Sequence, residues 1–366
     1  MGDLSEYRRR RDPRRTPEPI PAGDELPRGD DDVFVIQEHH ASSLHWDVRL
    51  ERDGVLASWA VPKGLPKEPD VSRLAVHTED HPLEYATFHG EIPAGEYGAG
   101  TMTIWDHGRY ETLHWNDHLV EVVFHGERAQ GRYAFVNMHG DDNAWQVKRA
   151  EPAAEGWEEL PPFVRPMSAR PGKLPEESAD DEWAYEFDWD GQRAIVRVQG
   201  GRATLFDETA TEITHTYPEL RAIGGQLGST EALLDGEIVA FEQGLPNRAA
   251  LGRRQSAAPA QAKRLVTAHP VMYLPYDLLH LDGASRLREP YLRRRELLAE
   301  LGLTGPNWQV PEHYVGDGDA VLRAAETHGL AGIVAKRADS EYRPGKRSPG
   351  WIAVATKKTA GPQDYV

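Results

Sequence analysis

The sequence predicts two domains, a β-rich one that fits a small barrel followed by an α+β one. Three observations carry this expectation. Short alternating apolar runs fill the chain before residue 151, and strand-like and helix-like runs mix after residue 162. Between them, Glu-Pro-Ala-Ala-Glu-Gly-Trp-Glu-Glu-Leu-Pro-Pro at 151–162 is acidic, carries prolines and lacks either period, so it reads as a linker. With 366 residues and 39% hydrophobic content, the chain can form a packed core on each side of it.

The first half opens with Arg8 to Arg11, Arg14 and Arg15, a basic, proline-bounded arm that composition alone makes a solvated tail, partly flexible over residues 1–30. An apolar run at 33–36 leads into Gln37-Glu38-His39-His40. From 44 to 50 strict alternation predicts a strand, with Leu44, Trp46, Val48 and Leu50 on one face and His45, Asp47 and Arg49 on the other. His39, six residues before His45, can fold back from the neighbouring strand. Two imidazoles and a carboxylate would then meet, a set suited to a divalent transition metal with positions open for substrate. Plain surface histidines fit the same spacing, which leaves both readings open. Runs at 100–105, 119–124 and 132–136 predict further strands. In the second half, 183–188, 193–199, 203–206, 232–241 and 271–277 predict strands, while 291–301 and 319–328 predict helices. The Ala- and Arg-rich stretch 248–264 predicts a helix followed by a loop. No internal repeat is visible, which excludes a solenoid.

The segment 37–50, with Ser58-Trp59-Ala60-Val61-Pro62-Lys63-Gly64, Leu74-Ala75-Val76-His77, Glu79-Asp80-His81-Pro82-Leu83-Glu84-Tyr85 and 90–100, resembles the 3'-phosphoesterase module of the bacterial ligase D family, which serves non-homologous end joining. The resemblance covers about residues 7–149 in order. It implies that His39, His45 and Asp47 hold a manganese ion, that Arg49 and His81 grip the scissile phosphate, and that Tyr85 lines the same pocket. The residue types agree: a divalent ion polarises a phosphoryl oxygen and activates water, and an arginine offers a planar fork to the remaining oxygens. A histidine with its pKa near working pH can serve as general acid or charge clamp. By the same resemblance Arg11, Asp12 and Glu18 belong to an arm that contributes to the site, although Pro13 departs from the pattern and stiffens it. Gln37 takes a supporting role near the metal.

The second half, over about residues 166–357, resembles the adenylation domain of ATP-dependent DNA ligases, again of the ligase D type, an ATP-grasp-like nucleotidyltransferase fold. The resemblance rests on 189–193, 234–239, 276–283, 332–337 and 342–346. Such ligases attack the α-phosphate of ATP with a lysine two residues before the position of Asp190, and here that position is Asp188. A carboxylate cannot form the phosphoramidate and repels the triphosphate. Ala331 replaces a metal-associated glutamate, Ala353 and Ala355 replace two phosphate-contacting lysines, and Asp207-Glu208-Thr209 stands where an arginine is usual. Lys357 and Lys358 lie nearby with altered reach. Arg193, Asp235, Glu237, Lys336 and Arg337 are retained, either to hold a nucleotide weakly or to maintain the fold. The family's OB-fold domain would begin beyond Val366, so none is expected.

Composition sets the outer limits. With no cysteine, disulfides and thiolate metal sites are excluded. No run of about 18 apolar residues exists, which predicts no membrane association and a cytoplasmic location, nucleoid-associated during repair. A net charge of −17 argues against broad DNA affinity and for local contacts. The combined expectation is a 3'-end-healing phosphoesterase that acts on 3'-terminal ribonucleotides or 3'-phosphates of a primer-template. It uses Mn2+ or another divalent transition metal and is fused to an inactive ligase-like domain whose use of ATP stays open. DNA 3' ends are the expected partners, with a Ku-like end-binding protein and a separate ligase or polymerase as further candidates. The alternatives are an ATP-dependent DNA ligase and a noncatalytic repair scaffold.

Overall fold

The computed structural model describes residues 3–21, 29–138 and 143–357. The chain divides into two compact units, Met1–Trp157 and Glu158–Val366.

The first unit has nine strands, some alternating and some, like β3, buried on both faces: β1 (Val33–His40), β2 (Leu44–Arg52), β3 (Val55–Val61), β4 (Ser72–His77), β5 (Gly90–Ile92), β6 (Gly100–Trp115), β7 (Leu119–His125), β8 (Gln130–Asn137) and β9 (Ala144–Arg149). Eight of them run in the order β1-β2-β3-β4-β9-β8-β7-β6, and β6 pairs back onto β1 to close a barrel, with β5 flanking β6. Closure removes the exposed sheet edges that an open sheet would carry. The β2–β3 turn is Asp53-Gly54, both at positive φ (51° and 82°), which suits the mirror-image turns that match strand twist. Phe34, Ile36, Trp46, Val48, Leu50, Trp59 and Phe135 fill the core.

The alternation expected in β2 is present, but its polar face is buried as well: Asp47 and Arg49 are only 5% and 2% exposed. The cover comes from the amino-terminal arm and from the turn at Leu83–Thr87. Composition alone makes the arm a solvated tail, and over residues 3–21 that expectation fails. Ser5–Arg9 is a short helix, α1, and Leu4 and Tyr7 pack with Leu56, Tyr85, Ile92 and Met102 in a second apolar cluster. Two apolar anchors suffice to fix a stretch that is otherwise arginine and proline. Residues 22–28 of the arm lie outside the described residues.

The second unit has a five-stranded sheet that includes Trp183–Asp188, Gly332–Arg337 and Arg347–Ala355. A larger sheet is built on Gln192–Gln199, Arg202–Phe206, Ala232–Glu242 and Val271–Leu281. Helices Tyr291–Glu300 and Gly318–Thr327 form where the apolar spacing expects them. The stretch 248–264 differs from the expected helix and loop, since it carries two helices, Arg248–Gln255 and Pro259–Ala268. The Asn247 side chain caps the first by accepting from Ala250 N at 2.8 Å, and Pro259 opens the second, where the first-turn N–H has no intrahelical partner to lose. The acidic stretch 151–162 is not a free spacer. Trp157 Nε1 donates to Glu68 in the first unit at 3.0 Å, while Leu160 is 1% exposed in the core of the second.

Candidate metal and phosphate site

The register of β1 against β2 builds the site. His39 lies opposite His45 and Gln37 opposite Asp47, so the period of two places Gln37, His39, His45, Asp47 and Arg49 on one face. His39 Nδ1 and His45 Nε2 are 3.1 Å apart, and the Asp47 carboxylate is 3.6 Å from each ring. His45 Nδ1 lies 3.0 Å from Ser43 O, so the proton on that nitrogen has a carbonyl to donate to and the Nε2 lone pair is free to face inward. Two imidazole nitrogens and a carboxylate, with one ligand atom from each all within 4.8 Å of one another, fit a divalent cation. Burial by itself would raise the Asp47 carboxyl, but Arg49, His39 and His45 outweigh it and hold it well below the usual carboxylate range.

Arg49 links this set to a pocket of about 200 Å3 lined by Arg11, His45, Asp47, His81, Tyr85 and Tyr97 among others. Its Nε donates to Gln37 Oε1 at 2.7 Å, its Nη2 to Asp47 at 3.0 Å, and its Nη1 faces His81 Nδ1 at 3.0 Å. Gln37 in turn donates to Tyr85 O and Phe88 O, which fixes the amide. Three of the five guanidinium N–H groups are thereby engaged, and the fork keeps two for an anion.

His81 does not fit the expectation of a pKa near working pH. It is 4% exposed, and Arg11 Nη2 stands 3.4 Å from its Nε2 while Arg49 holds its Nδ1 side. Burial, then Arg49 and Arg11, push the imidazole well below its ordinary value. Buried and flanked by two guanidinium groups, it favours the neutral form.

The arm delivers Arg11 and Glu18. Glu18 accepts from Arg11 Nε at 2.8 Å, from Tyr85 OH at 2.9 Å and from Thr16 at 2.7 Å. Burial, with Glu18 adding to it, pushes the Tyr85 phenol well above its ordinary value. Asp12 does not join them, because its carboxylate turns outward and accepts from Arg14 at 2.9 Å. Glu79, in a segment singled out for His81, is the residue that sequence reasoning missed: it accepts from Arg11 at 3.0 Å and Arg10 at 3.1 Å. An acid two residues before His81 was the available signal. Tyr97 also lines the pocket, with the Arg10 guanidinium 4.5 Å from its ring centre; it lies in the 90–100 segment that carries the resemblance but is not singled out there.

In the second unit, Asp188 pairs with Gly332 and Gly332 with Ala355 across three strands, so the positions of the missing lysine, glutamate and second lysine are neighbours. The five retained residues are spoken for in different ways. Arg193 and Asp235 form a two-bonded pair at 2.6 and 2.5 Å, and Tyr342 OH also donates to Asp235 at 2.6 Å. Lys336 is 1% exposed, ion-paired with Glu186 and 4.3 Å from the Trp351 ring centre. Arg337, on the opposite strand face, contacts Asp339 at 2.8 Å. Glu237 accepts from Gly191 N at 3.3 Å, and burial, reinforced by the Asp188 carboxylate, pushes it up to about 7. A cavity of about 560 Å3 beside them is lined by Trp189, Ala331, Ala355 and Lys357 and by none of these five. Lys358 lies outside the described residues.

Two outcomes are expected. Titration calorimetry with Mn2+ should show one site per chain, weakened about tenfold or more in His45→Ala, whose side chain is 22% exposed and therefore dispensable for folding. A Glu237 carboxyl raised from 4.5 to about 7 favours the folded state while protonated, so its contribution is complete below the unfolded value and fades as pH rises through 7. Denaturation of the native protein should lose about 3 kcal/mol of second-unit stability between pH 5 and 8, and Glu237→Gln should flatten that slope.

Comparison with known proteins places both units. A family model described as the DNA Ligase D 3'-phosphoesterase domain matches residues 37–137, and one described as the ATP dependent DNA ligase domain matches residues 166–354. The multifunctional non-homologous end joining protein LigD of Mycobacterium bovis is 42% identical over 356 residues, covering 95% of this chain and 44% of its own length. The protein of that name from Pseudomonas aeruginosa is 32% identical over 407 residues, covering 95% and 46%. A solved mycobacterial DNA ligase D complexed with ATP and MES is 32% identical and covers 52% of this chain and 60% of its own, with a TM-score of 0.45. The chain thus spans about half the length of the curated relatives it matches. No helix among the described residues is long and apolar enough to cross a membrane. The chain belongs to the LigD family, and it joins that family's 3'-phosphoesterase domain to its ATP-dependent ligase domain.

Proposed function

We propose that the first unit is a metal-dependent DNA 3'-end-healing phosphoesterase that removes a 3'-terminal ribonucleotide or 3'-phosphate during double-strand-break repair and leaves a 3'-hydroxyl. The supporting observation is the shared carboxylate: Asp47 lies 3.6 Å from both candidate metal-binding rings and 3.0 Å from the Arg49 fork. His39, His45 and Asp47 would hold Mn2+, which when bound supplies Lewis acidity to a phosphoryl oxygen and lowers the pKa of water. Arg49 orients the phosphate through its two spare N–H groups, and Gln37 holds the fork in place. Arg11 adds a second cation, fixed by Glu18 and Glu79. His81 is neutral in the free protein and gains a proton only once phosphate charge offsets the two arginines, which makes protonation of the leaving oxygen depend on substrate being in place. DNA 3' ends are the partner, and a Ku-like protein and a separate ligase or polymerase are the proposed recruits at the break.

For the second unit we propose a ligase domain without ligase activity. Asp188 offers no amine, Ala331, Ala353 and Ala355 remove further polar groups, and Arg193, Asp235 and Lys336 are consumed by internal pairs. On a labelled primer-template with one 3'-terminal ribonucleotide, native protein with Mn2+ should shorten or dephosphorylate the primer. His45→Ala should be slower by about a hundredfold or more, and no AMP should transfer from ATP to either protein. Equal rates for the two proteins would sink the phosphoesterase reading, and labelled AMP on the chain would sink the second.

A further inference from the structure

A second cavity, of about 360 Å3, opens at the barrel end where the β2–β3 and β6–β7 turns lie, and the phosphoesterase site uses none of its residues. Its walls are aromatic. Trp115 and Trp145 stand edge-on to Trp59, with ring centres at 6.3 and 5.8 Å and planes at 66° and 69°, and His77 packs 5.2 Å from the Trp59 ring, so these rings form a packed aromatic wall. Trp59 and Trp145 are 1% and 5% exposed, which fixes the wall in the barrel core and leaves half-buried Trp115 as the indole with a face open to a ligand. Its rim is acidic. Asp53, Asp80 and Asp117 face a single guanidinium, Arg52, among the described lining residues. With His77, which also lines the cavity, counted as neutral, three carboxylates against one guanidinium leave a net formal charge of about −2, which repels phosphate and draws cations. The open Trp115 face has the same preference, because an indole presents its negative quadrupole to whatever lies over it. Arg52 already demonstrates it, with its guanidinium carbon 5.1 Å from the Trp115 ring centre. The volume takes one charged head with its stem and excludes a strand or helix.

We propose that this cavity is a binding site for an alkylammonium group, the chemistry shared by a lysine side chain and a linear polyamine. Arg52 acts there as a resident competitor for the Trp115 face. Calorimetric titration of the full chain with N-acetyl-lysine methylamide, and separately with spermidine, tests it. Saturable binding is expected, weakened about threefold or more by Trp115→Ala and by Asp117→Asn. Asp117 is exposed and Trp115 only half buried, and unchanged melting curves and unchanged 3'-end processing would confirm that both variants fold. Arg52→Gln should strengthen binding by vacating the ring. Tighter binding of spermidine assigns a polyamine, tighter binding of the lysine probe assigns a peptide, and either supports the site. No saturable response to either probe, a response indifferent to both variants, or tighter binding of inorganic phosphate would overturn it.

Discussion

Arg49 is a full positive charge placed where water is scarce, and the first unit is arranged around that constraint. Its side chain is 3% exposed, and an unpaired ion at such depth costs several kcal/mol. Gln37 and Asp47 accept from its Nε and Nη2, Gln37 is held from behind by Tyr85 O and Phe88 O, and Nη1 lies against His81 Nδ1, which is also 2.9 Å from Glu79 O. Asp47 serves the arginine and the two histidines at once. The candidate metal ligands and the Arg49 fork are therefore joined through one carboxylate.

The arm extends the same logic. Arg11 enters a buried position already flanked by Arg49, which would be repulsive without Glu18 and Glu79. Two carboxylates at 0% and 4% side-chain exposure make the insertion favourable and orient the guanidinium toward His81. Tyr7 completes the seat, with its ring 5.0 Å from His81 and 3.8 Å from the Arg11 guanidinium carbon. An apolar anchor and an ion-pair network thus convert a basic tail into part of a wall.

In the second unit buried ion pairs hold the architecture. Arg193 with Asp235, Arg294 with Asp277 and Arg254 with Glu219 are each joined by two hydrogen bonds inside the fold. Such pairs contribute little net stability, yet removing one partner is costly, so they resist loss. Asp188 and Glu237 differ from them. Burial raises both carboxyls, and no cation is bonded to either in the way Arg193 is bonded to Asp235.

Alternation by itself marked the strand at 44–50, the runs at 100–105, 119–124 and 132–136, and the shared face of His45, Asp47 and Arg49, since a pleated strand has only two sides, while β3, β4, β5 and β9 carried no such mark. Local periodicity likewise marked the helices Tyr291–Glu300 and Gly318–Thr327, and residue type alone made Asp188 unfit as an amine nucleophile. What the sequence left open required contacts between distant segments. Pairing His39 with His45 brought two imidazoles and the Asp47 carboxylate together, and the arm's burial turned Arg11 and Glu18 inward while Asp12 turned out. The two arginines around His81 come from positions 11 and 49 and are met only after folding. That is why its protonation, set by neighbours and burial, was decided by the tertiary structure and not by its place in a motif.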